Sequence, residues 1–218
     1  MEFQDFVRRC VSLFREAKKK KMISPRVTRG RAGSCSSACE DLIALAISEM
    51  IPNEYKLLVD YPLTVRHGNG QRAKTAYPDV AVLYNRTLAG VIEIKVDLGY
   101  LPEDWSKQSG GMFSQLQQAT SLTYRTNVGT VNNEVISISP AKEMDRIVVV
   151  LSGLNDHGRL DAIKQANSVC FVLMPQHHPN SYYVDANNLE KFITAIADDP
   201  RGWDSLKRHL ARRYQNQN

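Results

Sequence analysis

Asp79, Glu93 and Lys95 have the types and spacing to hold a divalent ion beside a fixed cation. Asp79 follows Pro78 at the head of one apolar run, and Glu93-Ile94-Lys95 closes the next, with Asp79 and Glu93 fourteen positions apart. Side chains alternate along a strand, so Glu93 and Lys95 project to one side while Ile92, Ile94 and Val96 project to the other. Antiparallel pairing through a turn near Asn85-Arg86 brings Asp79 beside both. Such a set suits attack on an anionic ester. Carboxylates and a carbonyl suffice for magnesium, which lowers the pKa of a bound water, and an ammonium stabilises the charge that develops on phosphorus oxygens.

The letters alone select nothing. An acid-x-Lys triplet occurs at Glu16-Ala17-Lys18, Glu54-Tyr55-Lys56 and Glu93-Ile94-Lys95. The first lies in a basic helical run, and the second opens a strand with no Pro-Asp upstream. Only the third is preceded by Pro78-Asp79, the one Pro-Asp in the chain. Context singles it out.

The elements that must position these residues follow from periodicity. Phe3, Phe6, Val7, Cys10, Val11 and Phe14 recur at helical spacing, predicting an amphipathic helix over 3–21 that ends in four lysines suited to its dipole. A basic, glycine-containing connector occupies 24–34. Ser36 or Ser37 is expected to cap the next helix, with Leu42, Ile43, Ala46, Ile47 and Met50 as its buried stripe and Pro52-Asn53 as its stop. A strand over 55–65 is interrupted by Pro62, turn residues fill 67–70, and strands follow at 80–84 and 91–96. Residues 100–111 read as a loop and 112–124 as a helix carrying Gln115 and Gln118. An irregular insertion covers 126–143, with a short strand at 135–138. Residues 146–151 form a buried strand. A helix at 160–166, a strand at 169–174 and helices at 187–198 and 203–214 complete the chain. The expected fold is α/β, a central mixed sheet flanked by helices. It is organised as a basic helix and connector (1–34), a core (35–182) and basic C-terminal helices packed on that core (183–218).

This order, with Pro-Asp on the second strand and Glu-x-Lys on the third, resembles the PD-(D/E)xK nuclease superfamily. That superfamily includes many type II restriction endonucleases and archaeal Holliday-junction resolvases. The resemblance covers about residues 36–152 and implies a restriction-endonuclease-like αβββαβ core. It also implies a metal-dependent endonuclease that hydrolyses phosphodiester bonds in DNA. By resemblance Asp79 and Glu93 are metal ligands, the Ile94 carbonyl completes the shell, and Lys95 orients or activates the attacking water. The implied cofactor is Mg2+, with Mn2+ as a substitute. The family often adds a glutamate from the first helix; Glu40 fits that place, with Glu49 as the alternative. It also often places a Gln or Lys near the phosphate on the helix after the motif, a position taken here by Gln118. Viral cap-snatching RNA endonucleases reuse the arrangement and supply an alternative reading, but they carry a metal-binding histidine on an earlier helix, and no histidine precedes His67. A non-catalytic nucleic-acid-binding module on the same scaffold is a third reading.

Composition fits these partners. A chain of 218 residues with 43% apolar and 23% charged residues suits one domain with terminal extensions. The net charge of +5 is unevenly spread: residues 1–34 carry +7, 35–200 carry −6 and 201–218 carry +4. Basic ends around an acidic middle suit a protein that grips a polyanion at its periphery. Arg29, Arg31, Arg66, Arg72, Lys74 and Lys107 are the expected nucleic-acid contacts, with base reading assigned to 99–110 or 126–143. Cutting both strands of a duplex favours a homodimer. No run of 18 apolar residues exists and the N-terminus lacks the order of a secretory signal, so a cytoplasmic location without membrane contact is expected. Cys10, Cys35, Cys39 and Cys170 read as free thiols in a reducing compartment. Asp97 reads as a strand-end acid, His177-His178 as a surface turn, and the absence of a phosphate-loop or dinucleotide fingerprint argues against nucleotide cofactors.

Overall fold

The computed structural model describes residues 1–19, 22–24, 27–28, 34–68, 72–100, 104–126, 134–156, 158–165, 168–181 and 184–215. Helix α1 (Phe3–Lys19) leads into a small antiparallel ribbon, β1 (Met22–Ser24) with β2 (Val27–Thr28), and then α2 (Ser36–Ser48). Strands β3 (Tyr55–Val59), β4 (Leu63–Arg66), β5 (Lys74–Ala76), β6 (Val80–Tyr84) and β7 (Thr87–Asp97) follow. Next come α3 (Trp105–Gln117), β8 (Ser121–Arg125), β9 (Val135–Ser152), α4 (Arg159–Gln165), β10 (Val169–Met174), α5 (Leu189–Ala197) and α6 (Arg201–Leu210). A π turn (Ala211–Gln215) extends α6.

The result is a mixed sheet flanked by helices. Its strand order is β3-β6-β7-β9-β8-β4-β5, with β10 also pairing β9. Strands β3, β6 and β7 form an antiparallel meander, whereas β7, β9 and β10 run parallel. The β6–β7 hairpin closes over two residues, Tyr84 facing Thr87, with Asn85 in the left-handed region at φ 53°. Asparagine tolerates that conformation better than most residues, because its short side chain can bond locally.

One face of the sheet presents Ile92, Ile94, Ile147, Val149 and Leu151 to a core shared with α1, α2, α5 and α6, where Phe3 and Phe6 pack on Trp203. The opposite face splits into two apolar groups. One joins Val91, Leu83 and Leu88 to Leu116 of α3 and to Leu122 and Ile138; the other joins Val148 and Val150 to Leu98, Trp105 and Ile163. Glu93 and Lys95 lie on this second face.

Several local expectations are corrected. Residues 105–111 are helical, so α3 begins at Trp105, ends at Gln117, and gives way to β8. Gly110-Gly111 argues against a helix by propensity. Packing overrides it, because Trp105 and Leu116 are buried and Gly110 lies against Arg146. The single strand expected over 55–65 is two, β3 and β4, separated at Asp60 with φ 45° and placed far apart in the sheet order. The insertion expected to be irregular instead feeds β9, which runs from Val135 to Ser152 and pairs with β8 in its first half. Pro140 is tolerated there because the register slips nearby: one residue of β7, Ala89, spans the four between Pro140 and Asp145. Cys35, not Ser36 or Ser37, occupies the N-cap of α2, and no side chain caps that end.

Candidate active site

The hairpin register does the positioning. Val80 pairs with Ile92, so Asp79 stands just beyond the end of β6, level with the Glu93-Ile94-Lys95 stretch of β7. There the ladder runs out, and the Asp79 side chain takes over its role: Oδ2 accepts the Ile94 N–H at 2.6 Å. The same oxygen lies 3.2 Å from Lys95 Nζ, and Nζ lies 3.4 Å from Glu93 Oε2. One ammonium therefore bridges two carboxylates. An extended residue turns its N–H and C=O toward the same edge, so the Ile94 carbonyl also faces the Asp79 side.

Burial sharpens the charges. The Glu93 side chain is 7% exposed, against 23% for Asp79 and 17% for Lys95. Oε1 of Glu93 is buried with no hydrogen-bond partner among the described residues. Desolvation and then the neighbouring Asp79 hold the Glu93 carboxyl above the usual range, while Lys95 and Arg146 oppose the rise. A buried acceptor without a donor is costly, and a cation at Oε1 would remove that cost.

Glu40 stands on the first turns of α2, which packs against β3 and β7. Burial and then Asp79 push its carboxyl upward, with Lys95 opposing, so it shares the field of the site. Glu49, the alternative on the same helix, is held by the N-terminal amine of Met1 instead.

Helix α3 closes the other side and brings two residues the motif did not anticipate. The Trp105 ring centre is 5.5 Å from Lys95 Nζ. Arg146, one residue into the buried part of β9, donates from Nη2 to Ser109 Oγ at 3.1 Å and lies 5.7 Å from the Phe113 ring centre. It is 8% exposed and acts electrostatically on Glu93. An arginine heading the apolar run 147–151 was a readable signal for it. Trp105, ten residues after Lys95 in an expected loop, offered none.

The other expected contacts lie further out. Lys107 is exposed on α3, and Gln118 is exposed at its C-cap, where its carbonyl lies 3.4 Å from His67 Nδ1. Arg66, Arg72 and Lys74 are exposed on and beside the outlying strands β4 and β5. Arg29 and Arg31 lie outside the described residues, as does most of the connector over 24–34. Asp97 is engaged elsewhere, accepting from Asn155 Nδ2 at 2.6 Å and from the Gly99 N–H at 2.7 Å. His178 sits 3.7 Å from Asp97 and edge-on to Phe14.

Among the described residues no three histidine, cysteine, aspartate or glutamate side chains are gathered as a ready metal cage. The cluster instead offers two convergent carboxylates, a main-chain carbonyl edge and an orphaned buried oxygen. The chain matches no family model, no curated protein and no solved structure. None of its helices, among the described residues, is long and apolar enough to cross a membrane.

Proposed function

We propose that this chain is a magnesium-dependent endonuclease of the PD-(D/E)xK kind, acting on DNA and working as a homodimer where both strands are cut. The observation that carries the reading is the single ammonium of Lys95 within 3.2 Å of Asp79 and 3.4 Å of Glu93 at the open end of the β6–β7 hairpin. The antiparallel β3-β6-β7 meander, followed by a crossover through α3 to parallel β9, supports the restriction-endonuclease-like core.

Asp79, Glu93 and the Ile94 carbonyl would hold Mg2+ or Mn2+, and the partnerless Glu93 Oε1 fits that role. Such an ion supplies charge neutralisation at the phosphate and a water of lowered pKa. The chain's own residues do the rest. Asp79 is fixed by the Ile94 amide, so its other oxygen is presented in one orientation. Lys95 is held by two carboxylates on one side and the Trp105 face on another, leaving its third proton for the attacking water or a phosphate oxygen. Arg146 sustains Glu93 from behind without reaching solvent, and Glu40 adds negative charge at the margin.

Purified protein with supercoiled plasmid and magnesium tests this. Nicking or linearisation is expected, with loss in Asp79→Ala and in Lys95→Ala. Undiminished cleavage by both variants would move the active site elsewhere.

A further inference from the structure

We propose that the groove between β5 and α3 receives an unpaired nucleobase of the substrate strand, stacked on Tyr77 beside the phosphate to be cut. This deepens the nuclease reading and rests on it.

Tyr77 is 58% exposed, although both its chain neighbours, Ala76 and Pro78, are buried. The residue before a proline is restricted to extended conformations, so the ring stands on a backbone anchored at both sides and stiff at its own position. Such a platform loses little freedom when something stacks on it. It stands two residues from Asp79.

The ring overlooks a cavity of about 640 Å³ lined by Thr75 and Tyr77 on one side and by Lys107, Met112 and Gln115 of α3 on the other. That volume falls in the range of about 300–1,000 Å³ typical of small-ligand sites. The same helix presents Trp105 to Lys95, so the groove and the carboxylates share a wall.

Its chemistry favours a base over a backbone. A phosphate track needs a surplus of cations. Here Lys107 is offset by Asp104, whose Oδ2 accepts Gln108 Nε2 at 2.7 Å. An exposed aromatic face, a polarizable thioether and an amide suit a heteroaromatic ring with hydrogen-bonding edges. A base inside a duplex is stacked on both faces and paired at its edge, so a nucleotide that is already unpaired enters without the cost of breaking those contacts. The substrate class is then nucleic acid with a single-stranded nucleotide at the cut, DNA or RNA.

The experiment is a cycle of Tyr77→Ala against abasic substitution, read as binding by fluorescence anisotropy. The Asp79→Ala background with calcium keeps every oligonucleotide uncut. Single-stranded DNA, single-stranded RNA and fully paired duplex are compared, with each position of the strand made abasic in turn. Tyr77→Ala is expected to weaken single-strand binding by roughly 5- to 150-fold, the range of one base–aromatic stack, and to leave duplex binding unchanged. Tyr77→Phe should retain binding. At one abasic position the Tyr77→Ala effect should vanish, since both changes remove the same contact. The DNA and RNA arms report which strand supplies the base. Equal losses on duplex and single strand, or full additivity at every abasic position, overturn the inference. Failure of the unmodified protein to cleave anything with magnesium or manganese defeats the nuclease reading alone, because this binding cycle needs no cleavage.

Discussion

The Lys95 ammonium stands 5.5 Å from the centre of the Trp105 ring while also lying against Asp79 and Glu93. A cation–π contact of this kind contributes about 0.5–2 kcal/mol. Trp105→Ala should therefore slow single-turnover cleavage by about 2- to 30-fold, with Trp105→Phe much closer to the parent. Lys95→Arg should not restore activity, because a planar guanidinium cannot occupy the point between two carboxylates as an ammonium does. Rapid-quench measurement at saturating protein separates the chemical step from binding. A Trp105→Ala rate equal to the parent's would remove the ring from any role at Lys95.

Glu93 costs the fold stability at neutral pH. Its folded pKa is raised, chiefly by burial and then by Asp79. Between the unfolded and folded values the native state binds more protons, so stability falls as pH rises through that window. Glu93→Gln should accordingly unfold at a higher temperature at pH 7.5. A gain of about 1 kcal/mol corresponds to about 2–4 °C in a chain of this size. The advantage should shrink as pH falls toward the ordinary carboxylate range, while cleavage is lost at every pH. Calorimetry across pH 4–8 checks the sign, and a Gln variant that melts lower at pH 7.5 contradicts it.

Near the C-terminus the pH dependence has the opposite slope. His209 on α6 faces Asp145 of β9 at 4.0 Å, lies tilted against Phe171 of β10 with ring centres 5.3 Å apart, and has Arg212 and Arg213 beside it on the π turn. Burial lowers its pKa first, Asp145 opposes, and the two arginines lower it further. A histidine that is neutral when folded binds fewer protons than its unfolded counterpart, so stability falls as pH drops through the ordinary histidine range. His178, also lowered by burial, adds a contribution of the same sign. Urea midpoints should decrease from pH 7.5 to 5.5, and His209→Gln should flatten part of that slope. An unchanged slope in the variant would place the titration elsewhere.

Much of this arrangement was legible because strand physics is local. The period-2 alternation at 91–96 and the Asn85-Arg86 turn suffice to set Asp79 beside Glu93 and Lys95, and the contacts in the structure agree. Glu40 against Glu49 was not decidable from letters, since both lie in the same helical stretch; only the direction of α2 across the sheet separates them. Trp105 and Ser109 escaped because Pro102 and Gly110-Gly111 signal a loop, and the helical turns that carry them are held by tertiary contacts with Lys95 and Arg146. Of β9 only the middle, 139–145, escaped, because Pro140 and the charged pair Lys142-Glu143 interrupt the pattern that marks 135–138 and 146–151 as strand.

Gly202 is the tightest of the described glycine contacts. A Cβ there would run into the Val172 carbonyl, 2.7 Å from its carbon, and lie 3.1 Å from Leu173 Cα. These are backbone atoms of β10 and cannot swing away. Gly202→Ala gains at most about 1 kcal/mol of helix propensity, against about 1–3 kcal/mol or more for overpacking. The variant should melt lower, and thermal unfolding followed by circular dichroism will report it. A higher melting temperature would mean that α6 docks less closely than the geometry requires.

Strand β9 pairs with three strands: with β8 over its first half, with β10 over its second, and with β7 at Ser139-Pro140 and again from Asp145 onward. The slipped register between Pro140 and Asp145 thus lies on the strand that joins the β8-β4-β5 part of the sheet to Val148, the partner of Glu93. A change of twist between the two parts of the sheet has to be accommodated across those four residues.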